Sequence, residues 1–205
     1  MKISIEGYKS IAERRTIDIA GLTILAGANS SGKSSFMQPL LLIKQTLEND
    51  FDAGALLLDG PNVRLSDSSE IISRVPGSGR EVFCVGLQDE QQETEVVYKF
   101  EALTGISVDS LYQKSRVLPG GIRLQFGASS AEIKHTLIKS GSVYAPNKLF
   151  GSNSEYAIVR DRCFLNAVVK RDNSTIPATQ KFSANRHLGV FTKNLIHIPG
   201  LRGNP

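Results

Sequence analysis

Gly27-Ala28-Asn29-Ser30-Ser31-Gly32-Lys33-Ser34 is the stretch that decides how this chain of 205 residues is to be read. Two glycines five positions apart, followed at once by Lys and Ser, make the Walker A pattern of a phosphate-binding loop. Chance supplies such a match in roughly one chain in a hundred of this length. The flanks strengthen the reading. Leu22-Thr23-Ile24-Leu25-Ala26 is almost continuously apolar and predicts a strand covered on both faces. Beyond the loop, Phe36, Leu40, Ile43 and Leu47 recur at helical spacing, with Met37 and Leu41 widening the stripe. This predicts a helix packed on a sheet and ending near Asn49, bent rather than stopped by Pro39.

A strand, a glycine-rich turn and a helix in that order bring consecutive backbone N–H groups and the positive helix end to bear on one phosphate. The candidate phosphate-binding residues are therefore Gly27, Asn29, Ser30, Ser31, Gly32, Lys33, Ser34 and Ser35. Lys33 is expected at the β- and γ-phosphates of a nucleotide, and the Ser34 hydroxyl on Mg2+. A glycine-rich turn that binds nothing is the bland alternative.

Working outward, residues 2–6 alternate, with Ile3 and Ile5 on one side and Lys2, Ser4 and Glu6 on the other. Thr16-Ile17-Asp18-Ile19 alternates again, so the two runs predict an antiparallel pair closed by the bend Gly7-Tyr8-Lys9-Ser10. From about Arg80 to Arg171 the sequence turns into short β-like runs such as Val82–Val85 and Val96–Phe100, and the alternating Ile122, Leu124 and Phe126. Asn185 to Phe191 reads as a short helix before the strand-like Leu195-Ile196-His197-Ile198. The expected organisation is α/β: a P-loop core over 1–65, a β-rich insertion or arm over 66–185, and a return segment over 186–205.

Net charge is +4, yet residues 1–102 carry −5 and residues 103–205 carry +9. Such asymmetry suggests an anionic partner for the second half, either nucleic acid or an acidic protein surface, against the plain alternative of a solvated basic face. No apolar run is long enough for a membrane span or a signal peptide, and Cys84 and Cys163 lack ligand-spaced neighbours. The expectation is a cytoplasmic protein with two reduced, buried thiols.

Taken with Ile5-Glu6-Gly7-Tyr8-Lys9-Ser10-Ile11, Ile17-Asp18-Ile19 and the run from Gly21 through the glycine loop to Ser35, the N-terminal part resembles the start of ABC/SMC-like P-loop ATPases. These include bacterial AAA ATPases of OLD-like and phage-defence type. Leu57-Leu58-Asp59-Gly60-Pro61-Asn62-Val63-Arg64-Leu65 and the terminal Ile196 to Pro205 are similar to bacterial AAA ATPases as well. The resemblance implies ATP as the nucleotide and Mg2+ beside it, and Lys9 near the nucleotide. It also implies a C-terminal lobe beyond Pro205 carrying a signature motif and a Walker B Asp-Glu pair. It further implies a nucleotide-sandwiched homodimer coupled to a nuclease or other effector, and to DNA. Within 1–205 the nearest imitations are imperfect: Leu118-Pro119-Gly120-Gly121 lacks the signature serine, and Leu56-Leu57-Leu58-Asp59 is followed by Gly60 where Walker B carries Glu.

Asp59 therefore reads as a turn residue, with a Mg2+ ligand as the alternative. Two other functions stay open: a complete small P-loop kinase or NTPase with Asp59 on its metal, and a nucleic-acid-binding β module. The module would use Lys134, Lys139, Lys148, Arg160, Arg162, Lys170 and Arg171.

Overall fold

Alternation in the first six residues becomes strand β1 (Lys2–Glu6), which pairs antiparallel with β2 (Arg15–Asp18) in the register Ile3 to Ile17 and Ile5 to Arg15. The computed structural model describes residues 1–28, 31–73, 81–142, 154–170, 179–183 and 186–198. On its other side β1 pairs with β3 (Val82–Gln88), again antiparallel. Three more strands, β4 (Gln92–Glu101), β5 (Gly105–Ser115) and β6 (Leu118–Gln125), extend the sheet by successive hairpins. The order is β2-β1-β3-β4-β5-β6, so hydrogen bonds cross the expected boundary at 65/66.

The 63 residues between β2 and β3 leave the sheet and return. They contain the long helix α1 (Lys33–Glu48), whose buried side chains include Phe36, Leu40, Leu42 and Ile43. Its end at Glu48 with Asn49 as cap agrees with the apolar spacing. Pro39 removes one helical N–H donor without stopping the helix, which continues for nine further residues. At the other end, the Arg162 guanidinium donates to the carbonyls of Thr46, Leu47 and Asn49 at 2.9, 3.4 and 2.5 Å, satisfying acceptors that a helix C-terminus leaves unpaired.

Helix α2 (Ser130–Lys139) follows the sheet, and a small antiparallel sheet, β7 (Glu155–Asp161), β8 (Phe164–Lys170) and β9 (Thr179–Ser183), packs beside it. Helix α3 (Arg186–Lys193) runs against α1, with Gly189 letting Leu47 and Phe164 approach. One apolar cluster joins the six-stranded sheet, α1, α2, β7, β8 and α3. Its aromatic spine runs from Tyr8 edge-on to Phe83 at 5.5 Å, through Phe83 stacked on Tyr98 at 4.8 Å, to the Tyr98 hydroxyl, which donates to the Cys163 carbonyl at 3.0 Å. Each such ring pair contributes about 0.5–1.5 kcal/mol beyond its buried area.

Three expectations fail here. Leu22 to Ala26 is not a strand: it is extended and largely exposed, with Leu22 82% and Ile24 76% accessible. The segment pairs with no strand of either sheet: the outer edge of β2 stays open, and strand character alone does not supply a partner. Leu195 to Ile198 is irregular as well, with Ile196 and Ile198 exposed. Phe126 lies just past β6 and is exposed, so the alternation ends at Leu124.

Candidate functional site

The glycine-rich turn joins the exposed segment 22–26 to α1. Gly32 is the helix N-cap, in the left-handed region at φ 92°, where a side chain is strained. A Cβ there would also come within 2.8 Å of the Ser10 hydroxyl. Gly32 has no side chain with which to cap the helix, and no acidic residue occupies its first turn. Among the described residues the first N–H groups and the positive end of α1 thus meet no capping side chain, the arrangement that binds anions.

Lys33, the first helical residue, folds back over the turn. Its ammonium donates to the carbonyls of Gly27 at 2.8 Å and Ala28 at 2.6 Å, with the Ser31 hydroxyl at 3.5 Å. These bonds hold the turn curled about its own cation. Ser34 is exposed on the first helical turn, and half-buried Ser35 accepts from the Ser10 hydroxyl at 3.5 Å. Asn29 and Ser30 fall outside the described residues.

The turn opens on a cavity of about 720 Å3, within the range of small-ligand sites. Ser31, Gly32 and Lys33 line it from the turn, and Ser10, Ile11, Ala12, Glu13 and Arg15 line it from the β1–β2 connection and β2 itself. Ile24 and Phe36 give it apolar surface. An uncapped helix, a cradle that a Cβ would fill and a lysine at its centre fit a nucleotide triphosphate.

The other sequence candidates lie elsewhere. Lys9 has a left-handed backbone at φ 47°, and its ammonium sits 5.9 Å from the Tyr8 ring centroid. Burial lowers its pKa, with Glu70 opposing. It does not line the cavity. Asp59 belongs to a tight hairpin closed by the Leu65 amide on the Leu58 carbonyl at 3.0 Å, and its carboxylate lies 3.8 Å from Arg64, both exposed. The Gly60 beside it touches the Gln45 amide so closely that a Cβ would meet it at 2.6 Å, so no glutamate fits there. Among the described residues no cluster of three metal-binding side chains occurs.

Leu118-Pro119-Gly120-Gly121 is part of β6, an edge strand that tolerates Pro119. A Cβ at Gly121 would meet the Tyr112 ring at 2.6 Å, so these glycines serve packing. Of the basic residues, Arg162 caps α1 and Arg160 makes a two-point pair with Asp52 at 2.9 and 2.8 Å. The Lys134 ammonium lies 5.7 Å from the Tyr156 ring centroid. Lys148 and Arg171 fall outside the described residues. Both cysteines are unbonded; Cys163 is buried and Cys84 half-buried, and burial pushes each thiol up to about 12. Both are inert as nucleophiles at neutral pH. No described helix is long and apolar enough to cross a membrane.

Sequence reasoning missed Glu13 and Arg15 of the cavity wall. The signal was present for Arg15: two residues before Ile17 in the same strand, it shares that residue's inward face.

A phosphate-binding turn on a mixed α/β scaffold of this kind marks a nucleotide-binding domain of the P-loop ATPase type. The family model described as "AAA domain, putative AbiEii toxin, Type IV TA system" matches residues 22–129, more than half of the chain. The chain belongs to this family of AAA domains. No curated protein matched it.

Proposed function

We propose that residues 27–35 bind the phosphates of ATP with Mg2+, and that the chain serves as the N-terminal lobe of an ABC/SMC-like ATPase. The observation that carries this is the N-terminus of α1, which has no side-chain cap behind a positive-φ glycine and has Lys33 poised on the turn. Phosphate oxygens would accept from the freed N–H groups, Lys33 would exchange its two carbonyl partners for β- and γ-oxygens, and the exposed Ser34 hydroxyl would meet the metal.

A second lobe bearing signature and Walker B elements would complete the site. Support for this comes from segment 22–26, which is extended, apolar and exposed, as a strand awaiting neighbours would be. Hydrolysis would then occur in a nucleotide-sandwiched homodimer that drives a nuclease or other effector on DNA. The family's toxin and toxin–antitoxin description is consistent with a role in phage defence. The small self-sufficient NTPase is disfavoured, because Asp59 is engaged with Arg64 away from the cavity. The nucleic-acid module loses Arg160 and Arg162 to structural duties.

Calorimetric titration with Mg-ATP tests the phosphate reading. Lys33→Ala is expected to weaken binding by at least about tenfold, the scale of a lost charged hydrogen-bonding group. The circular dichroism spectrum should not change, since the Lys33 ammonium bonds within residues 27–31. Equal affinity in wild type and variant would overturn the proposal.

A further inference from the structure

One cation of the cavity remains without a task. The register of β1 and β2 sets Ile17 opposite Ile3 and Arg15 opposite Ile5. Directly opposed residues share a face of the sheet, and Ile3 and Ile5 are buried, so Ile17 and Arg15 both point to the core side. Ile17 packs against the apolar cluster. Arg15 lies past its margin and lines the same cavity as Ser31, Gly32 and Lys33.

Its neighbour Arg14 shows what a structural arginine looks like here. Arg14 donates to Glu95 at 2.6 Å and to the Ser4 hydroxyl at 3.0 Å. Arg15 has no such bond or ion pair among the described residues. An inward charge on an edge strand can serve to discourage edge-to-edge pairing. That role would be met by any charge at the edge and does not account for a guanidinium that shares a ligand-sized cavity with the lysine at the start of α1.

We propose that Arg15 is a second phosphate-binding cation of this site, beside Lys33 in the lining of one cavity. A planar guanidinium can donate to two oxygens of one phosphate, which a lysine ammonium cannot do in the same fixed geometry. Two cations from separate elements would neutralise charge that the helix end alone offsets only in part. This inference rests on the phosphate reading of residues 27–35. Lys114, exposed on β5 and not part of the cavity lining, provides a control of the same charge.

The test is titration of the full chain with Mg-ATP, and with inorganic tripolyphosphate as competitor. Arg15→Gln is expected to weaken both ligands about five- to tenfold, the discounted value of a solvent-accessible charged hydrogen bond. Arg15→Lys should recover only part of the loss, and Lys114→Gln, an equal change of charge at an exposed position of β5 that does not line the cavity, should leave binding unchanged. The salt dependence of ATP affinity should flatten in Arg15→Gln. Unchanged affinity in Arg15→Gln, in a protein that loses ATP on Lys33→Ala, overturns this inference and leaves the phosphate reading standing. Equal losses in Arg15→Gln and Lys114→Gln would assign the effect to overall charge, and a loss for ATP without one for tripolyphosphate would assign it to the base or sugar; either refutes the phosphate role. Absence of nucleotide binding by the wild type removes the underlying reading as well.

Discussion

Replacing Gln45 with Leu removes one amide from the buried side of α1 while keeping its approximate volume. Gln45 is 1% exposed, and its amide ties helix to hairpin: Nε2 donates to the carbonyls of Leu57 at 2.6 Å and Val63 at 3.0 Å, and Oε1 accepts from the amides of Asn62 at 3.2 Å and Val63 at 2.9 Å. These four losses are not equal. The Val63 carbonyl retains the Gly60 amide at 3.1 Å, and the bonds to Leu57 and Asn62 are only partly buried, where water can substitute. The Val63 amide is buried and loses the Gln45 oxygen, at about 1–3 kcal/mol for a stranded group. With a smaller contribution from the other groups, the expected loss is about 2–3 kcal/mol. Equilibrium urea unfolding should register it as a fall of about 1 M in midpoint, for a slope near 2–3 kcal/mol/M. A loss below about 0.5 kcal/mol would refute the claim that this amide organises residues 57–65, and with it the packing explanation for Gly60 in the apparent Walker B segment.

Arg162→Ala should destabilise by about 1–2 kcal/mol by stripping the α1 C-terminus of its donor, read as a lowered thermal midpoint; an unchanged midpoint would mean that water replaces the guanidinium without cost. A third expectation concerns acid. Burial raises the Asp89 pKa, but the amides of Gln91 and Gln92 and the His187 ring 2.9 Å away outweigh it, so the folded value lies below the ordinary one. The stabilisation is therefore full above the unfolded carboxylate range and is lost as pH falls through the folded value. Asp89→Asn should flatten the acid limb of stability measured by urea midpoints between about pH 6 and 3, and an unaltered slope would contradict the linkage.

The parts of the molecule that were legible in the sequence are those governed by local pattern. The period-2 alternation of β1, the helical spacing of Phe36, Leu40 and Ile43, and the glycines of the phosphate turn each follow from a short window. Helix α2 was also written locally, in the Ser129 and Glu132 capping box ahead of Ile133 and Leu137, and was overlooked amid the surrounding β-like runs. What a window cannot carry is pairing. An apolar run such as Leu22 to Ala26 has strand character, but whether it becomes one depends on neighbours set far away in the chain. The same holds for the site. Ser31, Gly32 and Lys33 announce themselves by spacing, whereas Glu13 and Arg15 join them only because β2 lies at the sheet edge beside α1.

The pairing of β1 with β3 also sets an order of events during synthesis. Lys2 is matched with Gln88, and Glu6 with Cys84. The ribosome must therefore extend the chain by about eighty residues beyond β1 before that strand gains its second partner, and at about 5–20 residues per second this takes about 4–16 s, to which passage through the exit tunnel adds. Through that interval Ile3 and Ile5 can lean only on β2 and on whatever of α1 has emerged. The nascent N-terminus is thus a natural client for chaperones that hold short apolar strands, and slowing translation before Val82 should lengthen its exposure and raise its aggregation.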